Sequence, residues 1–445
     1  MREGEIPRPG TEGCTRDRPA ADSRPDRDPA LQQRLARVAD ELRAQPTLAA
    51  LRRSAGWARD GAWLETLLAT VSAGVPQGRP LPSTSSAGAA ETDPRPARAG
   101  TGRPSARKRF VHWNIYKGIA DEAILARLRD DPALRDADLI SLNEVDVGMA
   151  RSGNRHVAAD LADALGLYWT FAPNYLELTK GPDDDARAPG ANAVGLHGVA
   201  ILSRERPATC AAIPLPACFD MFAFAEKRYG RRTALAVALP DGTRFVTAHL
   251  EVRAQPACRG LQMSHLLRAL QARWPRPPAR SAPYVLAGDW NTHTFHRGTP
   301  AHAVRGLARI LSRSAAGLQR ELMEPWRAGR EPLFAALAAA GFGWEACNDR
   351  EPTASELLGR VEEQELLPPA MRRAALRLLR LANRRVPLRL DWFAAADPSS
   401  SGESGWRVAC ARTVGPLPAG RRPSDHRPLV LDLVRTGEAA AVASG

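Results

Sequence analysis

The 445-residue chain lacks several things at once, and each absence narrows its class. Its six cysteines, at 14, 210, 218, 258, 347 and 410, contain no Cys-x-x-Cys spacing, which removes the usual structural zinc site. Scattered single cysteines fit free thiols in a reducing compartment. No apolar run approaches the roughly 20 residues that cross a bilayer. The longest, around Leu333 to Ala340, is far too short. The N-terminus, MREGEIPRPG, has no apolar signal-peptide core. Together these absences predict a soluble, cytoplasmic protein. No Gly-x-Ser-x-Gly occurs and no cysteine closes an apolar strand, so a serine or thiol nucleophile has no evident seat. Lysine is scarce, and arginine supplies almost all of the +13 formal charge. Such a balance favours anionic partners, whether nucleic acid, phosphorylated metabolites or anionic lipid, without choosing among them.

What is present divides the chain. Residues 1–28 are rich in Pro, Arg and Asp and are expected to be disordered. Residues 29–73 carry helical spacing through Leu31, Leu35, Val38 and Leu42, then Leu48, Leu51, Trp57, Leu64 and Leu67. Residues 74–107 have the Pro/Gly/Ser/Arg composition of a linker. Few contacts should cross such a linker, so a chain starting near Ala106 is expected to fold alone. From 108 to 436 strands alternate with helices, as in an α/β layered domain with a mixed sheet or a pair of sheets. A stretch of about 297–388 reads as helical throughout, including "ASELLGRVEEQELL" from Ala354, and is expected as an insertion. Residues 437–445 read as a disordered tail.

The chemistry-bearing residues fall at strand ends. Asn114 closes "FVHWN", Glu144 closes "LISLNE", His249 closes "FVTAH", Asp289 and Asn291 close "VLAGDWN", Asp391 closes "LRLD", and Asp425 and His426 open "SDHRPLVLDL". Any one of these could be a cap, a turn or a surface ion pair. Six strands each delivering an acid, amide or imidazole imply convergence at one sheet edge, where α/β folds place their sites. Residues i and i+2 of a strand share a face, so Asp289 and Asn291 should point the same way. Carboxylate and amide oxygens suit a hard divalent cation, Mg²⁺ or Mn²⁺. A histidine beside an aspartate suits proton transfer or charge stabilisation. The reaction these residues imply is attack of water on a phosphoester.

In order along the chain, "HWNIYKG", "DLISLNEVD", "GVAILSR", "TAHLE", "GDWN", "LDW" and "SDH" resemble the motifs of the endonuclease/exonuclease/phosphatase superfamily. The resemblance implies a four-layered α/β/β/α sandwich with the site at one end of the two sheets. It further implies that Glu144 is the principal Mg²⁺ ligand, with Asn114 beside it and Asp425 in support. Asp289 would orient or deprotonate water, Asn291 would hold the scissile phosphate, and His249 would donate to it. His426 would stabilise the pentacovalent state, with Asp391 fixing its imidazole.

Further candidates for substrate contact are Asn154 and Arg155 in "SGNRH", an anion seat at a helix start or merely a cap at Ser152 or Asn154. His197, Arg231, His293 and His296 are others, each with an ordinary loop or ion-pair alternative. Arg377 and Arg380 share a helical face with Arg373 and Arg384, either as a basic cap over the site or as a solvated face. Three functions compete: a phosphodiesterase or phosphatase, a DNA or RNA nuclease, and a noncatalytic phosphate-binding module. The substrate and the oligomeric state are not legible in the chain.

Overall fold

The computed structural model describes residues 24–77, 107–182, 184–224, 226–274, 282–295, 299–357, 377, 385–396, 405–415 and 423–436. Two sheets pack face to face. The first holds β1 (Ser72–Gly74), β2 (Arg107–Lys117), β3 (Leu139–Val147), β4 (Tyr168–Glu177), β5 (Leu196–Ser203), β7 (Arg228–Gly230), β15 (Trp406–Thr413) and β16 (Leu429–Arg435). Their order is β1-β4-β5-β3-β2-β16-β15, with β7 beside β4. The second holds β6 (Thr209–Pro214), β8 (Thr233–Ala238), β9 (Arg244–Thr247), β10 (Tyr284–Asp289), β11 (Phe342–Gly343) and β14 (Asp391–Ala396), in the order β11-β14-β10-β9-β8-β6.

The strands read as continuous apolar text because both of their faces are covered. Phe110, Leu139, Val199 and Ile201 of the first sheet meet Leu235, Phe245, Val285 and Phe393 of the second in one buried cluster. Their neighbours Val111, Ile140, Ala200 and Leu202 point the other way, under helices. Those helices are α4 (Asp121–Asp130) and α5 (Val157–Leu165). On the far side, α6 (Pro256–Arg273) and α9 (Leu333–Ala339) bury Met263, Leu266, Leu333 and Phe334 against Ala236, Val246 and Trp392. The result is a four-layered α/β/β/α sandwich. The parallel pairs β2–β3 and β9–β10 are joined by α4 and α6, as parallel pairing requires a crossover.

The N-terminal segment departs from the expectation of independence. Its helices α1 (Pro29–Ala44), α2 (Leu48–Arg52) and α3 (Ala55–Ala69) place Leu35, Val38, Leu51 and Leu64 in the same cluster as α4 and α5. Strand β1 pairs antiparallel with β4, Ser72 opposite Phe171. Arg24, 8% exposed, lies inside the stretch expected to be disordered and bonds Asp160 at 2.7 Å and Asp163 at 3.2 Å on α5. Linker composition reports on the connection, whereas the apolar faces at either end of it decide whether the pieces pack.

The stretch 297–388 is not helical throughout. Helices α7 (Pro300–Ser312), α8 (Ala315–Met323) and α9 form, but β11 extends the second sheet by pairing with β14. Ala354–Leu357, expected to open a helix, is strand β12, antiparallel to β13 (Arg385–Leu388). Its partner lies some 30 residues on, beyond the reach of local periodicity. Cys218 and Cys258 form a disulfide, so two of the thiols expected to be free are paired, and the compartment inferred from free thiols loses its support. Cys210, Cys347 and Cys410 are free. No helix among the described residues is long and apolar enough to cross a membrane.

Candidate active site

Strand β10 ends on Asp289, and β14 begins on Asp391 in register directly opposite it. Two buried acids facing one another repel, and the surrounding side chains resolve that repulsion. Asp289 is 2% exposed and Asp391 fully buried. Burial first, and then the charge of Asp391, push the Asp289 carboxyl up to about 7, with His426 and Asn114 opposing. Asp391 goes the other way. Burial would raise it, but His426 and His112 hold it well below the usual carboxylate range.

His426 Nδ1 lies 2.6 Å from Asp391 Oδ2, and its Nε2 is 3.8 Å from Asp289 Oδ2. Burial works against its protonation, but Asp391 and Asp289 hold it well above an ordinary histidine, so it carries a proton at neutral pH. The turn bearing it is stapled to β2: Trp113 Nε1 donates to His426 O at 3.0 Å, and Ser424 Oγ to Asn114 O at 2.7 Å. Thr353, just before β12, accepts N–H bonds from Leu390 and Asp391, and its carbonyl accepts from Arg427 at 2.7 Å.

His249 follows β9. The N–H groups on either side of it, at Ala248 and Leu250, bond Ala287 O and Asp289 O and carry the pairing past the strand's end. This approach is close enough that only glycine fits at 288, where an added Cβ would fall 1.9 Å from Ala248 O. His249 Nε2 is thereby set 3.5 Å from Asp289 Oδ2. Burial, then Arg232, keeps its ring well below the usual histidine range and therefore neutral. Its Nδ1 is buried with no hydrogen-bond partner among the described residues.

Asn114 Nδ2 donates to Glu144 Oε1 at 3.1 Å and to Asp289 Oδ2 at 3.0 Å, while its oxygen accepts from Tyr116 N. It therefore faces the acids as a donor that bridges them, not as the oxygen ligand expected. Glu144 sits at a positive φ of 55° on β3. Burial would raise its carboxyl, but His197, Lys117 and Asn114 keep it lowered and ionised. Asp425, at the exposed lip, is raised by the protein around it and by Glu144, against the pull of His426. An ionised Glu144 whose charge raises a neighbouring carboxylate offers the oxygen donors that suit a hard divalent cation. Asp289, Asp391 and His426 also bring ligand atoms within 4.8 Å of one another. Protonated His426 offers no lone pair within that cluster, and Glu144 with Asp425 form a second group of carboxylates that could hold a cation.

Asn291 does not share a strand face with Asp289. It lies past the strand at φ 52°, its N–H bonds Asp289 Oδ1 at 3.0 Å, and its Nδ2 donates to Leu250 O at 3.0 Å. The Gly-Asp-Trp-Asn text is thus both site and turn.

The substrate-contact candidates fare unevenly. His197 is buried, with Nδ1 2.7 Å from Asp146 Oδ1, and it influences both Glu144 and His249. Asn154 instead pins a neighbouring loop through Ala191 O and Ala193 N. Arg155 bonds Ser152 O and pairs with Asp121 at the start of α4. The cap of α5 is His156, not Ser152 or Asn154. Arg231 lies 3.7 Å from Glu65 of α3, and the neighbouring Arg232 is the one that acts on His249. His293 is bound to Val252 O in the segment between β9 and α6 and to Phe295 N in its own loop. Arg377 is exposed; His296 and Arg380 lie outside the described residues.

Sequence patterning missed His112, Ser141, Asn143 and Thr247, which form a buried chain between the sheets, and Lys117, Asp146 and Arg151 beside Glu144. All lie on or just beyond strands whose terminal residues were flagged. The available signal was polar residues recurring inside apolar strands.

A sequence model of the Endonuclease/Exonuclease/phosphatase family matches residues 111–356. No curated protein sequence matches the chain. Among solved structures, an endonuclease/exonuclease/phosphatase from Beutenbergia cavernae shares 18% identity over 74% of this chain and 72% of its own, with a TM-score of 0.40. The human Nocturnin catalytic domain shares 15% over 74% and 95%, TM-score 0.39. Sphingomyelinase C from Streptomyces griseocarneus shares 14% over 73% and 99%, TM-score 0.37.

Proposed function

The chain belongs to the endonuclease/exonuclease/phosphatase family, and on that premise we propose that it is a Mg²⁺-dependent hydrolase cleaving an anionic phosphoester by in-line attack of water. The observation that supports this most is the meeting at Asp289 of side chains from separate segments. Asn114 comes from β2, His249 from beyond β9, and His426 from ahead of β16, at 3.0, 3.5 and 3.8 Å from Asp289 Oδ2.

Each group has a role its state suits. Asp289, poised at about 7, orients the attacking water and takes its proton. Neutral His249 offers a ring N–H to a phosphate oxygen, and Asn291 offers its second amide proton. Protonated His426 compensates the charge that builds on the pentacovalent phosphorus, where a fixed donor is worth most. Asn114 holds Asp289 and Glu144 in a common orientation. Glu144 and Asp425 would hold the cation, Mg²⁺ or Mn²⁺, which supplies positive charge against the phosphate oxygens.

The test is turnover of bis-p-nitrophenyl phosphate, a nucleic acid and a phospholipid, each with Mg²⁺ and with EDTA. At least one substrate is expected to turn over with Mg²⁺ and not in EDTA, and Glu144→Ala is expected to abolish that turnover in folded protein. Full activity in EDTA, or in Glu144→Ala, overturns the reading.

A further inference from the structure

We propose that His112 is a positioning residue of this centre: it holds the second oxygen of the Asp391 carboxylate through a hydrogen-bonded chain that crosses between the sheets and ends on Asp289. The inference rests on the hydrolase reading for its kinetics, though not for its geometry.

His112 is fully buried on β2. Its Nε2 is 3.1 Å from Asp391 Oδ1, while His426 takes Oδ2. Its Nδ1 is 2.9 Å from Ser141 Oγ, and Ser141 Oγ is 2.6 Å from Thr247 Oγ1. Asn143 Nδ2 donates to Thr247 Oγ1 at 3.0 Å, and Asn143 Oδ1 accepts the N–H of Asp289 at 2.8 Å. Thr247 belongs to the second sheet and the other three to the first, so the chain spans the sandwich just behind the reacting groups.

Each link of the chain has a partner. Asn143 Nδ2 and Ser141 Oγ both donate to Thr247 Oγ1, which has two lone pairs to receive them. Ser141 Oγ also meets His112 Nδ1, and the opposite ring nitrogen, Nε2, faces the Asp391 carboxylate as a donor. Buried networks stabilise one arrangement only when fully satisfied in this way. With His426 across from Asp289, the chain closes a ring through both opposed acids.

A Phe at 112 would fill the space, but it would leave Asp391 Oδ1 without its donor in a dry interior, where an unmet acceptor is costly. The carboxylate would then turn and release its hold on His426. A Gln at 112 can place an N–H near the position of Nε2.

Two readouts are compared in wild type, His112→Phe and His112→Gln. In the Phe variant kcat is expected to fall about 10–100-fold with KM nearly unchanged, and in the Gln variant most of that loss is recovered. Independently of any activity, the downfield proton resonance of the short His426–Asp391 bond should shift or vanish in the Phe variant and return in the Gln variant. If the Phe variant does not fold, Ser141→Ala serves: it breaks the chain at the partner shared by His112 Nδ1 and Thr247 Oγ1, leaves the His112–Asp391 contact in place, and should lower kcat roughly 3–10-fold. Unchanged kcat and resonance in His112→Phe, a Gln variant as impaired as Phe, or an unaffected Ser141→Ala would overturn the proposal. A wild type inactive on every phosphoester overturns the hydrolase reading instead and leaves the resonance test in force.

Discussion

At the scale of single residues, the opposition of Asp289 and Asp391 has a cost that shows in stability. Asp289 has an ordinary value of 3.8 and is pushed up to about 7 in the fold. Between those values the folded protein keeps a proton that the unfolded chain has released. Stability from this residue is therefore present at low pH and is lost as pH rises across that window. Asp289→Asn carries no charge to bury and lacks this dependence. In EDTA, its melting temperature is expected to exceed that of wild type at pH 8 and to approach it at pH 4, by calorimetry. Equal melting temperatures at both pH values would show that Asp289 is not destabilised where it sits. A residue that weakens the fold while sitting among four donors and acids is the expected mark of a functional position.

At the scale of elements, the helices ahead of β1 are part of the sandwich. Leu64 is fully buried in the cluster shared with α4 and α5. Leu64→Ala is expected to cost about 2–5 kcal/mol, the range for a buried leucine truncated in a core, measured by urea unfolding. A chain starting near Ala106 should be insoluble or markedly less stable for the same reason. A cost under 0.5 kcal/mol for Leu64→Ala would mean that the helices are detachable after all. The Thr353–Ala354 segment is a second such case: it sits in a region that reads as insertion yet braces both Asp391 and the turn of His426. Thr353→Val removes the acceptor for two buried N–H groups and should cost about 1–3 kcal/mol while lowering kcat. An unaffected kcat in that variant would detach the segment from the site. These two elements also mark the limit of what the chain reveals by pattern. Strand ends gave Asn114, Glu144, His249, Asp289 and Asp391 because each closes an apolar run, and His426 because it shortly precedes one. The pairing of β12 with β13, the docking of β1 on β4 and the turn at Asn291 depend on partners distant in sequence or on φ, which periodicity does not encode.

At the scale of the whole molecule, the +13 charge is a poorer guide to partners than composition suggests. Several arginines are interior. Arg259 is fully buried against Glu331 at 2.6 Å, and Arg389, 1% exposed, bonds Asp349 at 3.0 Å. Such residues hold layers together and present no field to a polyanion. The disulfide between Cys218 and Cys258 ties the segment after β6 to the first turn of α6, closing a separation of 40 residues. A closed loop of that length is worth about 3–4 kcal/mol through the unfolded chain, so reduction or Cys258→Ser should lower the urea midpoint. An unchanged midpoint would show that the bridge adds nothing. Above all, the fold brings four layers and two sheets to bear on one carboxylate. The most direct test is therefore kcat on a phosphodiester substrate, with saturating Mg²⁺, for wild type and Asp289→Asn. A fall on the order of 10²-fold or more in a variant that stays folded is predicted, and equal rates would contradict the assignment of Asp289 as the group that activates water.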